Sequence, residues 1–165
     1  MSNTDFQTHH IEGYARAAQE AGLDGFFSVP LISHIEGNLW QGGCHDGAPL
    51  PEDFEYVVSL YPWEKYRLGP NTHRVEVRML DAGAMPDLRQ LFEVAEAVNE
   101  YRAKGKTLVH CQAGLNRSGL VAGLALVLDG MAPADAVNLL REKRCEMVLC
   151  NETFRDWLLN YRVLA

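Results

Sequence analysis

The stretch from Lys106 to Leu128 constrains this chain most. Lys106 to His110 is a short β-type segment, and Ser118 to Leu128 is apolar almost all round a helical projection. A helix without a polar face must be buried. Between the two stands the run His110-Cys111-Gln112-Ala113-Gly114-Leu115-Asn116-Arg117-Ser118, in which Cys111 and Arg117 lie six positions apart. A strand that passes through a glycine-containing loop into a helix N-terminus builds an anion site. The unpaired N–H groups of the loop and first helical turn converge, and the helix dipole adds positive potential.

The residue types in that loop suit a phosphate dianion held against a thiolate. Cys111 at the base of the cradle is the candidate nucleophile, in surroundings that favour the thiolate. Gly114 allows the backbone to bend inward. Arg117 offers a planar fork of donors to two oxygens at once. The cradle itself comprises Gln112, Ala113, Gly114, Leu115, Asn116 and Arg117. Ser118 can donate its hydroxyl to the sulfur and make it a better leaving group. His110, beside the nucleophile, is a candidate for setting the loop and the thiolate charge. A leaving alkoxide or phenoxide needs a proton from a carboxylic acid upstream. Asp81, at the end of a strand and the start of a small-residue loop, is preferred. Asp87 is the rival, but an apolar-periodic helix starts directly after it, which suits a helix N-cap.

The rest of the chain reads as one α/β domain, with a small, mostly parallel central sheet and helices on both faces. Strands are expected at Leu39-Trp40-Gln41, Phe54 to Leu60, Arg74 to Leu80 and Lys106 to His110. Helices are expected after Asp87, over Ser118 to Leu128, from Pro133 to about Arg144, and after Asn151. Ile11, Tyr14, Ala15 and Ala18 share one helical face, so a helix is expected over 9–21, within an N-terminal extension of residues 1–34 packed on a catalytic domain of 35–165. The charges Arg141, Lys143 and Arg144 are expected to form a solvated helix end.

Composition narrows the function. A chain of 165 residues with 47% hydrophobic residues suits one globular domain. No apolar run reaches membrane-spanning length and no signal peptide is visible, so a cytoplasmic protein with reduced thiols is expected. The net charge of −7 argues against nucleic acid or an anionic membrane as main partner. Cys44, Cys111, Cys145 and Cys150 show no zinc-ligand spacing, so neither metal nor cofactor is expected. Cys44 is the foremost candidate for a reversible disulfide with Cys111, set against the simpler reading of an unreactive thiol.

These features together resemble the cysteine-dependent protein tyrosine phosphatase superfamily, and most of all its compact dual-specificity branch. The pattern HCxxGxxRS is complete from His110 to Ser118. The resemblance extends upstream to Asp81 and to Asn38-Leu39-Trp40-Gln41-Gly42, and downstream to Arg144 and to Asn151 through Phe154. Cys145 stands where a proline commonly follows the arginine, and the Trp-Pro-Asp order of the large tyrosine-specific members is missing. The resemblance implies a metal-free two-step reaction. Cys111 takes the phosphoryl group while Asp81 protonates the leaving oxygen. Asp81 then activates water, and Ser118 assists release of the sulfur. Gln112, Ala113, Leu115 and Asn116 are uncharged, which favours a single phosphate on a protein: phosphotyrosine, with phosphoserine and phosphothreonine also open. A phosphoinositide or RNA 5'-end phosphatase, and a phosphate-binding module without turnover, remain as alternatives.

Overall fold

The computed structural model describes residues 8–11 and 27–162. Strands β1 (Thr8–Ile11) and β2 (Phe27–Pro30) pair antiparallel as a separate ribbon. The central sheet holds β3 (Ile32–Glu36), β4 (Leu39–Gly42), β5 (Tyr56–Ser59), β6 (His73–Glu76) and β7 (Thr107–His110), in the order β3-β4-β7-β5-β6. All pairings are parallel except that of β3 with β4. Helices α1 (Leu88–Lys104), α2 (Arg117–Leu128), α3 (Pro133–Lys143) and α4 (Glu152–Asn160) complete the fold.

The two faces of the sheet are closed differently. Side chains alternate along a strand. Leu39, Val58 and Val109 pack into the cluster that contains every buried apolar residue of the four helices. Their strand neighbours Trp40, Val57 and Leu108 pack with Cys44, Leu50, Phe54 and Tyr66. Among the described residues, all four helices pack into the cluster on one side of the sheet. The crossover from β4 to β5 carries Gly47, Pro49 and Pro51 and no helical apolar period, so it covers the second face as an irregular loop.

Helix α2 is buried from Arg117 to Val127, as its sequence requires. Gly130 ends it with φ 109°. Asp87 caps α1 by accepting from Gln90 N–H at 3.1 Å, and Asn151 caps α4 by accepting from Phe154 N–H at 3.2 Å.

Three expectations change. The first residues of the helix expected over 9–21, His9 to Ile11, belong to strand β1; residues 12–21 lie outside the described residues. Strand β3 spans the expected boundary between residues 34 and 35. Strand β6 stops at Glu76, so Asp81 does not end a strand. Past Glu76 the chain leaves the edge of the sheet, and Met79 drops into the helix-side core at 1% exposure.

Candidate active site

The loop between β7 and α2 is held in shape from outside. Gln112 O accepts from Cys44 N–H at 3.0 Å, and Leu115 O accepts from Leu149 N–H at 3.1 Å. Ala113 O accepts from the Arg144 guanidinium at 3.1 Å. Gly114 O accepts from Arg144 Nε at 2.7 Å and from Gln41 Nε2 at 3.2 Å. In a trans peptide the C=O and the following N–H point in opposite directions. Pinning these four carbonyls outward turns the N–H groups of residues 113–116 inward. One of them, Gly114 N–H, donates to Cys111 Sγ at 3.3 Å. Asn116 is the N-cap of α2 and makes no side-chain cap bond, so the first-turn N–H groups of that helix stay open to an anion.

Arg144 is 6% exposed, and its guanidinium also donates to Pro30 O at 2.8 Å and Ser33 Oγ at 3.0 Å. It is not part of a solvated helix end. Sequence shows its place after α3 but not that the next turn folds it under the loop.

Arg117 is 6% exposed. Its guanidinium lies 5.0 Å from the Tyr61 ring centroid and reaches Met79 O at 3.4 Å, while its Nε has no partner. No carboxylate among the described residues pairs with it. A buried guanidinium without an anion is costly, so this one is built to meet an anion at the loop.

Ser118 Oγ lies 3.4 Å from Cys111 Sγ. That oxygen accepts from the Cys111 thiol and from Gln41 Nε2 at 3.1 Å, which holds the hydroxyl where it can donate to the sulfur once the thiol has lost its proton. Sequence reasoning left Gln41 as an ordinary strand residue, and its polarity within a fully buried strand was the available signal.

Burial pushes His110 down to about 4, which favours the neutral ring at pH 7. Its Nδ1 meets Cys111 O at 3.2 Å, and its ring stands edge-on to Tyr66 with centroids 5.1 Å apart. Its part is to brace the loop. Burial raises Cys44 to about 12, and Cys145 and Cys150 are also raised, mainly by burial. All four cysteines are free. Cys44 follows an internal strand, not a sheet edge, and holds its proton at neutral pH.

Asp81 is tied to the loop, accepting from Asn116 Nδ2 at 3.0 Å and from Asn151 Nδ2 at 2.8 Å. Asp87 is exposed and occupied in capping α1. The structure thus brings together Cys111, Arg117, Ser118 and Asp81 around the cradle of residues 112–117, with Asp87 outside it.

A strand, a thiol-based loop with its carbonyls turned out, and a buried helix define a class of anion-binding domain centred on a cysteine. Residues 52–163 match the family model of the dual specificity phosphatase catalytic domain. The chain belongs to that family, within the compact branch of the cysteine-dependent protein tyrosine phosphatases. It is similar to protein tyrosine phosphatase PRL-1 of Trypanosoma cruzi, with 42% identity over 55 residues, 33% of this chain and 30% of that relative. The chain therefore matches less than a third of the length of this curated relative. A crystal structure of a mouse putative dual specificity phosphatase, complexed with zinc tungstate, superposes with TM-score 0.66 at 20% identity, covering 78% of this chain and 86% of that one. The human tyrosine phosphatase-like serine/threonine/tyrosine-interacting protein superposes with TM-score 0.67 at 19% identity, covering 79% of this chain and 94% of that one. At such identities these structures speak for the fold.

Among the described residues, no helix is long and apolar enough to cross a membrane.

Proposed function

We propose that this chain hydrolyses phosphate monoesters on proteins through a phosphocysteine intermediate. The observation that carries the reading is Arg117: buried, without a carboxylate, with an unpartnered Nε, beside a thiol at the base of inward N–H groups. In the first step the Cys111 thiolate attacks phosphorus. The S–P bond forms, the P–O bond to the leaving group breaks, and protonated Asp81 gives its proton to the leaving oxygen. In the second step Asp81 takes a proton from a water that attacks phosphorus. The S–P bond breaks, inorganic phosphate leaves, and Ser118 donates to the returning thiolate. Arg117 and the inward N–H groups hold the equatorial oxygens throughout, where their stabilisation of transition-state charge counts most.

Phosphotyrosine is the substrate we favour, with phosphoserine and phosphothreonine open. The loop side chains carry no extra positive charge for further phosphates. The Tyr61 ring lies against Arg117, and the Trp63 ring centroid is 4.9 Å from that of Tyr61, an aromatic wall suited to an aryl ester. Turnover of an aryl phosphate without metal, with vanadate as inhibitor, tests the reaction. Cys111→Ser is expected to abolish turnover while keeping vanadate affinity. Turnover at the parent rate would refute the nucleophile. Phosphate binding by the parent without turnover would instead mark a binding module. Preference for phosphoinositides or RNA 5' ends in a substrate panel would overturn the protein reading.

A further inference from the structure

Two asparagines fasten the acid segment to the phosphate loop. Asn116 donates from Nδ2 to Asp81 Oδ2 at 3.0 Å, and its Oδ1 accepts from Asn151 N–H at 2.8 Å. Asn151 Nδ2 donates at once to Asp81 Oδ1 at 2.8 Å and to Ala82 O at 2.7 Å, while its Oδ1 caps α4. Thr153 Oγ1 adds a bond to Gly83 O at 3.1 Å. Both oxygens of Asp81 are thereby fixed by amides from two different segments, one in the phosphate loop and one at the start of α4. Further along the segment 81–87, Met85 packs against the helix-side core and Asp87 caps α1. The segment lies outside any helix or strand, Ala82, Gly83 and Ala84 are exposed, and Leu80 just before it is 62% exposed.

We propose that Asn116 and Asn151 are positioning residues for Asp81: together they set the distance and direction from which its carboxyl reaches the leaving oxygen. The inference rests on Asp81 being the general acid. Neither asparagine side chain touches the reacting atoms; Asn116 meets phosphate through its backbone N–H alone. Each acts through the carboxylate, and Asn116 also links the carboxylate to the loop that grips phosphate. The grip on phosphate and the approach of the acid are therefore fixed in one hydrogen-bonded unit. A misplacement of about 1 Å is enough to cost a large factor in such a step.

The test compares aryl phosphates whose phenols differ in acidity. A poor leaving group needs the acid and a good one does not. Asn151→Ser retains a helix cap but removes the amide donors; Asn116→Ala is the second variant. Both are expected to lower kcat about tenfold or more for unsubstituted phenyl phosphate, and less than about threefold for a dinitrophenyl phosphate. For Asn151→Ser, which lies outside the cradle, KM and vanadate affinity should stay within about twofold. In an Asp81→Asn background the same changes should add almost nothing, because they act through a carboxylate already lost. Equal losses on both esters, or full additivity with Asp81→Asn, would show a merely structural role and overturn the proposal. Parent-like rates in both variants would overturn it too. If Asp81→Asn itself spares the phenyl ester, the assignment of the acid fails instead, and the two failures are thus told apart.

Discussion

Gly114→Ala probes the cradle most sharply, because two of its costs can be separated. Gly114 has φ 75°, which an L-residue adopts at a cost of about 1–2 kcal/mol. An added Cβ would also stand 2.4 Å from Gly42 C, 2.5 Å from Gly43 N and 2.5 Å from an Arg144 guanidinium nitrogen. The first two atoms are backbone at the end of an internal strand and cannot yield without disturbing the sheet. Overpacking of this kind costs about 1–3 kcal/mol. If the loop moves instead, the Arg144 bond to Gly114 O is lost, at about 1.5–3 kcal/mol for a charged donor. Gly47→Ala is the control: its φ is 78°, and an added Cβ meets nothing within 4 Å. It bears the backbone cost alone. With about 2–4 °C of melting temperature per kcal/mol at this chain length, Gly114→Ala should melt about 10 °C below the parent and Gly47→Ala within about 5 °C of it. Vanadate affinity, by isothermal calorimetry, should fall at least about tenfold only for Gly114→Ala. Equal melting temperatures for the two variants, with vanadate bound as by the parent, would refute the packing argument.

Two further outcomes are expected. The folded state holds His110 neutral down to about 4 against 6.5 for the ordinary side chain. Below pH 6.5 the unfolded chain binds a proton that the folded chain refuses, so stability is full above that pH and lost as pH falls toward 4. Urea titrations should show the parent losing on the order of 3 kcal/mol more than His110→Gln over that window; parallel pH curves would contradict the burial of this ring. Gln41→Leu removes the donor that orients Ser118, together with an unpartnered buried Oε1, so the fold should stay about as stable. Hydrolysis of the phosphocysteine should slow about three- to tenfold, visible as a burst of released phenol by rapid quench, and unchanged kcat without a burst would remove Gln41 from the site.

What was legible in the chain was local. An all-round apolar helix, a proline at the start of α3, and the caps Asp87 and Asn151 are set by neighbours in sequence, and each stands where its pattern puts it. The Cys111 loop was legible because strand, glycine, arginine and buried helix agree in one stretch. Strand β3 carried a signal too, since Gly37-Asn38 is a two-residue hairpin turn between apolar runs, but the helical spacing upstream masked it. The strand over Arg74 to Leu80 looked continuous because alternation does not show where an edge strand leaves its sheet. Arg144 and Gln41 were opaque for a different reason. A side chain that serves a carbonyl some 30 or 70 residues away in sequence leaves no local periodicity. The fold and the make-up of the Cys111 loop were therefore readable, and the scaffold that holds the loop was not.

The outward carbonyls of the phosphate loop have a consequence for how the protein fails. Their anchors come from Gln41 and Cys44 in one part of the chain and from Arg144 and Leu149 in another, about a hundred residues on. Loosening either part lets a peptide rotate and presents an oxygen, rather than an N–H, to the phosphate. A single reversed dipole then repels what the others attract. The shape of the loop consequently depends on anchors far from it in sequence, and it is kept or lost with the fold that brings them there.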